Sequence, residues 1–144
     1  DEPFRIREQG VAIKTLLLAD SGYDPYRVMV AHRPFAEAHP ETVQAFVAAS
    51  IRGWSDYMQG DPSPAHDRIA EENDHMSAEQ MAFSRSEMIR RGFVSGDPTS
   101  EESIGALDPN RLSAQATLLH DIGVIETPLP LEAYADLKFI NYSP

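Results

Sequence analysis

The chain contains no cysteine among its 144 residues. This absence excludes disulfide bonds, thiolate catalysis, and the zinc or iron–sulfur sites that depend on cysteine ligands. It does not identify the cellular compartment, because oxidising compartments permit disulfides without requiring them.

Basic residues are also scarce. Twelve Lys and Arg stand against 23 Asp and Glu, which gives a net charge of −11 at pH 7. This balance argues against a nucleic-acid partner or an anionic membrane surface, since both attract Lys and Arg. No apolar run reaches the roughly 18 residues that a membrane-spanning helix needs. Because the first residue is Asp1, we expect the chain to begin after a processing or truncation point.

Hydrophobic residues are plentiful, at 42% of the chain, so the composition is that of a globular protein with about one domain's length. Two short apolar segments near the front predict β-strands, at Val11–Ala19 and Tyr26–His32. Between them "DSGYDP" predicts a turn, since Gly22 permits positive φ and Pro25 disfavours helical geometry in the preceding residue.

The rest of the chain predicts helices. Pro40 suits a first helical position, and an apolar stripe continues to Met58 that includes Phe46, Ile51 and Trp54, which we expect to be largely buried. The other predicted helical segments are Ala65–Glu72, Ser77 to Arg91 with Gly92 as terminator, Asp108–Pro109 to Gly123, and Leu131 to Leu137. Two strands cannot form a stable sheet alone, so this order is typical of the rear of a larger α/β protein.

The motif order "EPF … LLLADSGYDPY … HPETVQAFVAASIRGW … IGALDPNRL … LLHDIGVIE" resembles the C-terminal half of periplasmic solute-binding proteins of ABC importers. The most similar branch serves thiamine-pyrimidine precursors, sulfonates, taurine and nitrate. The resemblance runs from Glu2 to about Phe139.

The resemblance implies an α/β fold: a partial type II periplasmic-binding-protein lobe, with few strands at its N-terminal end and a helix-rich region behind them. Residues 1–20 would end the second lobe, residues 21–32 would form the hinge crossing and return strand, and residues 33–144 would form the helical C-terminal part of the first lobe. The front half of the family pattern is absent from this chain.

The resemblance also implies a function without catalysis, in which a small organic solute binds between two lobes and is delivered to an ABC permease. The protein would be periplasmic or otherwise extracytoplasmic, lipid-anchored or secreted. The candidate ligand-binding residues are Glu2, Phe4, Asp20, Tyr23, Asp24 and Tyr26. Aromatic faces suit a planar solute and carboxylates accept its N–H groups. No cofactor or metal is implied.

Other interpretations remain open. Asp20 and Gly22 can serve only to make the turn, and Glu2 and Phe4 can belong to a frayed terminus. The segment from His66 to His75 lacks metal-site spacing and predicts a solvated helix end.

Two further functional alternatives concern the whole chain. A pyrimidine synthase of thiamine biosynthesis shares this ancestry, but that enzyme carries a cysteine-rich motif, and the absence of cysteine disfavours it here. The chain can also be a self-associating fragment, since unpaired strand edges favour a homodimer or larger oligomer.

Overall fold

The computed structural model describes residues 2–96 and 103–140. Helices form most of the regular structure in these residues. They are α1 (Glu2–Glu8), α2 (Arg33–Ala38), α3 (Pro40–Gln59), α4 (Ser63–Glu72), α5 (Ala78–Arg90), α6 (Pro109–Asp121) and α7 (Leu131–Tyr134), with 3₁₀ turns at Leu18–Ser21 and Leu137–Phe139.

The helix starts follow the local signals in the sequence. The Ser77 hydroxyl accepts a hydrogen bond from the Gln80 N–H at 3.1 Å and caps α5, while the Asp108 carboxylate accepts one from Asn110 at 2.8 Å and caps α6. Each cap satisfies an N–H group that has no partner within its own helix. The predicted starts of both helices are therefore confirmed.

The strands predicted at Val11–Ala19 and Tyr26–His32 do not form within the described residues. Residues 11–17 and 23–32 lie outside regular secondary structure, and Leu18–Ser21 is a 3₁₀ turn. A strand is stable only beside another strand, and residues 2–96 and 103–140 supply none. Most apolar side chains of these segments consequently stay in solvent, with Val30 91% exposed, whereas Ile13 and Leu17 are half-buried. The partial-lobe fold remains a prediction.

The chain divides into two compact units. One contains Asp1–Thr15 and Ser50–Gly105, and the other contains Leu16–Ala49 and Ala106–Pro144. The division falls inside α3, which contributes residues to both units. The lobe boundaries expected near residues 20 and 32 refer to a larger two-lobe protein and stay a prediction.

Each unit has a small core. In the first unit Met58, Gln80 and Met81 are buried, and in the second unit Ala48 and Phe139 are buried. Small cores leave much apolar surface in contact with water, so each unit depends strongly on individual polar contacts.

The predicted buried stripe of α3 is partly wrong. Met58 is buried and Ile51 is half-buried, but Phe46 and Trp54 are 64% and 43% exposed. Helical periodicity identifies which residues share a face, whereas burial requires another element to cover that face. In the described residues the neighbouring elements are too few to cover the two aromatic side chains.

Candidate functional site

The turn that precedes Tyr23 is held by its own backbone and by one side chain. The Ser21 hydroxyl donates to the Leu18 carbonyl at 2.7 Å, and the Gly22 N–H donates to the Ala19 carbonyl at 3.0 Å. Gly22 has φ of +89°, in the left-handed region that glycine adopts without steric cost. The conformation up to residue 22 is thus determined locally.

The residues that follow are held by Arg111, which lies in the first turn of α6. Its Nη2 lies 2.7 Å from the Asp24 carboxylate, and its Nε donates to the Asp24 carbonyl at 3.0 Å. Its Cζ lies 3.9 Å from the centre of the Tyr26 ring, a cation–π arrangement. A single guanidinium therefore contacts a carboxylate, a carbonyl and an aromatic face.

Tyr26 makes a second contact with the start of α6. Its hydroxyl accepts a hydrogen bond from the Asp108 N–H at 3.1 Å. We call Asp24, Tyr26, Asp108 and Arg111 the Arg111 clasp. The clasp joins the segment after the turn to a helix more than 80 residues further along the chain, since Asp24 and Arg111 are separated by 87 positions.

The clasp changes the roles open to the predicted site residues. The Asp24 carboxylate faces a guanidinium, and the Tyr26 ring face and hydroxyl both have partners within the chain. By contrast, exposed Asp20 and half-buried Tyr23 form no side-chain hydrogen bond or ion pair with the described residues. These two side chains are the ones whose polar groups are available to a solute.

The other two predicted site residues belong to the other unit. Phe4 on α1 packs against Phe83, with ring centres 5.4 Å apart. Glu2 is exposed at the start of α1, and a hydrogen bond from its own backbone N–H lowers the pKa of its carboxyl group. Asp20, Tyr23, Asp24 and Tyr26 lie together in the second unit and form the candidate site described above, and a ligand-binding role for Glu2 and Phe4 stays a prediction.

Sequence reasoning missed Arg111, although one signal pointed to it. Arg111 is the third residue of α6, where the positive end of the helix dipole disfavours a cation. A basic side chain at such a position implies a compensating partner. The sequence alone does not identify that partner, because Asp24 is far away along the chain.

The segment from His66 to His75 ends as a solvated helix end, because α4 stops at Glu72 and residues 70–75 are exposed. His66 lies within α4 and is half-buried, with Nε2 3.0 Å from the Tyr57 hydroxyl. Burial also raises the pKa of Tyr57. His75 is exposed, as that prediction requires. In residues 2–96 and 103–140, no three His, Cys, Asp or Glu side chains are grouped so that they could hold a metal ion.

No helix of the described part of the chain is both long and apolar enough to cross a membrane.

Comparison with known families identifies one match. Residues 1–65 match the model of the family described as NMT1/THI5 like, a family of periplasmic solute-binding proteins. The matched residues include all six predicted ligand-binding residues, while Arg111 lies beyond them. Neither the curated proteins nor the solved structures contain a match.

Proposed function

We propose that this chain is part of the solute-binding component of an ABC-type importer, working outside the cytoplasm and delivering a small organic solute to a membrane permease. The observation that carries the proposal is the match of residues 1–65 to the NMT1/THI5-like family. It includes the whole segment in which the candidate site residues cluster.

Within this function the four site residues take two roles. Asp20 accepts N–H groups of the solute, and the Tyr23 ring offers an aromatic face to a planar solute. Asp24 and Tyr26 support this pair through the Arg111 clasp, since their polar groups are engaged within the chain. The chain acts by binding rather than by catalysis.

We propose further that the chain corresponds to the C-terminal half of such a protein, with the turn before Tyr23 at the hinge between two lobes. A solute that contacts both lobes favours the closed state by its differential affinity for that state. The front lobe would supply the strands beside which residues 11–19 and 26–32 could become strands. Thiamine-pyrimidine precursors, sulfonates, taurine and nitrate are the solute classes to examine.

Isothermal titration calorimetry tests the proposal with named probes: thiamine, taurine and nitrate, each added to the 144-residue chain. We expect one probe to bind. Thiamine and taurine carry N–H groups that a carboxylate can accept, so for either of them Asp20→Asn should weaken the affinity about tenfold, a typical loss for one charged hydrogen-bonding contact. Tyr23→Ala should weaken the affinity for the aromatic thiamine by a similar factor. Asp67→Asn is the matched control, because Asp67 is exposed on α4 in the other unit.

Two results would count against the proposal. Absence of binding by all three probes at millimolar concentration, both to this chain and to a version extended by a front lobe, would remove the transport function. Equal losses in Asp20→Asn and Asp67→Asn would place the site elsewhere.

Self-association is a second candidate, favoured by the apolar side chains around the turn. Leu16, Leu18 and Val30 are 77%, 70% and 91% exposed, and burying them against a second copy would be favourable. The net charge of −11 opposes association but is screened beyond about 8 Å at physiological salt. Sedimentation equilibrium at micromolar concentration should show a dimer or larger species. A measured mass of 16.0 kDa, that of a single chain, would exclude self-association at that concentration.

A further inference from the structure

We infer that Arg111 is the positioning residue of the candidate site, and that it presents Tyr23 to solute by fixing the chain immediately after it. This inference rests on the proposed function for its consequence in binding. Its structural part concerns the free protein and can be judged without any solute.

Tyr23 lies between two anchored segments of the chain. On its N-terminal side, the bonds from Ser21 and Gly22 hold the 3₁₀ turn and use only neighbouring residues. On its C-terminal side, residues 23–32 lie outside regular secondary structure, so no helix or sheet of their own holds them. The direction of the chain at Tyr23 therefore depends on the Arg111 clasp.

The Arg111 guanidinium makes three different kinds of contact at once. Nε bonds the Asp24 carbonyl and Nη2 pairs with the Asp24 carboxylate, while the guanidinium carbon lies over the Tyr26 ring. Only a planar group with several fixed donors satisfies these contacts together, because a lysine ammonium is a compact charge without a planar face or donors fixed side by side. The arginine side chain is 25% exposed, so its contacts are partly shielded from water.

The Arg111 clasp affects solute binding through the conformational freedom of Tyr23. Holding the backbone of one residue in a single conformation corresponds to roughly a 5- to 30-fold change in an equilibrium constant. If Tyr23 is held before the solute arrives, this cost is absent from binding, which is the advantage of pre-organisation. Loss of Arg111 should then weaken the affinity by about that factor without removing any solute contact.

Limited proteolysis gives a readout that needs no solute. Chymotrypsin cleaves after Tyr23 at a rate set by how often the segment opens. Arg111→Met should raise that rate roughly 5- to 30-fold, and Arg111→Lys should not restore it. Cleavage after Phe93, which is 57% exposed in the other unit, is the internal reference, and Arg52→Met is the charge-matched control.

Nuclear magnetic resonance provides a signature that general destabilisation would not reproduce. In the wild-type chain the Arg111 Nε–H proton should be shielded by the Tyr26 ring and should exchange slowly, because Nε bonds the Asp24 carbonyl. Tyr26→Leu should abolish the shielding. Asp24→Asn should preserve it, since that change leaves the backbone carbonyl and the ring in place.

The outcomes separate the inference from the proposed function. An unshielded Arg111 proton, or cleavage after Tyr23 that is no faster in Arg111→Met than in Arg52→Met, would overturn the positioning role even if thiamine, taurine or nitrate binds. Shielding and accelerated cleavage support that role even if none of these probes binds to this chain or to a version extended by a front lobe, in which case the proposed function alone fails. If one probe binds, affinity unchanged by Arg111→Met would overturn the coupling to binding.

Discussion

Arg85 on α5 supports the C-terminal end of α3. Its Nε donates to the Tyr57 carbonyl at 2.8 Å, and its Nη2 donates to the Met58 carbonyl at 2.9 Å and the Gly60 carbonyl at 3.2 Å. The last carbonyls of a helix have no partner within it and lie at the negative end of its dipole. A cation bonded to three of them should therefore contribute to stability.

The magnitude follows from the number and exposure of these bonds. A hydrogen bond to a charged group contributes about 1.5–3 kcal/mol. The three bonds share one guanidinium, and the one to Gly60 is exposed, so simple addition would overestimate the effect. Arg85→Met retains an apolar stem for packing. We expect it to lower the free energy of unfolding by about 2–3 kcal/mol.

Equilibrium unfolding in urea, monitored by circular dichroism, measures this loss. Arg52→Met is the control, because Arg52 is exposed on α3 and forms no hydrogen bond or ion pair with the described residues. Arg85→Lys should recover part of the loss, since an ammonium group can bond one or two of the carbonyls. A loss below about 0.5 kcal/mol, or one equal to that of Arg52→Met, would refute the capping role.

Three further predictions concern single side chains. Trp54→Ala should lower the free energy of unfolding by only about 1–2 kcal/mol, below the 3–5 kcal/mol of a buried tryptophan, and acrylamide should quench the fluorescence of the 43% exposed indole readily. Hydrogen bonds from the side chains of Arg90 and Arg91 lower the pKa of the Glu87 carboxyl group from its ordinary value of 4.5 to about 2. The ion pairs of Glu87 should stabilise the fold by about 1 kcal/mol, fully above pH 4.5 and progressively less as pH falls through 2. A stability difference from Glu87→Gln that is as large at pH 2 as above pH 4.5 would contradict this. Gly105→Ala should lower the melting temperature more than Gly22→Ala does. Both glycines have φ of +89°, but only at Gly105 would an added Cβ lie 2.6 Å from a side chain, that of Ile51.

The helices could be predicted from the sequence because their signals are local. Ser77 and Asp108 bond N–H groups two or three residues away, and Gly92 adopts positive φ of 65° after α5, so a short window contains the whole interaction. The turn before Tyr23 is local in the same sense. The short helix α2 was not predicted, since its six residues carry little periodicity.

Local signals do not determine whether the two predicted strands form. A pattern such as that of residues 26–32 records a preference for extended backbone, but its hydrogen bonds must come from another segment. The apolar stripe of α3 has the same limitation, because spacing places Trp54 on a face and leaves open what covers it. Both predictions assumed a neighbour that the described residues do not provide.

The candidate site shows most directly which features depend on local sequence and which depend on tertiary structure. The sequence by itself determined a turn with aromatic and acidic residues, because glycine and proline act on their own backbone and the next residue. Only the tertiary structure decided that Arg111 meets Asp24, 87 positions away, and so separates the engaged pair Asp24 and Tyr26 from the available pair Asp20 and Tyr23. A guanidinium recognises any suitably placed carboxylate, and which carboxylate it meets depends on how the intervening helices pack.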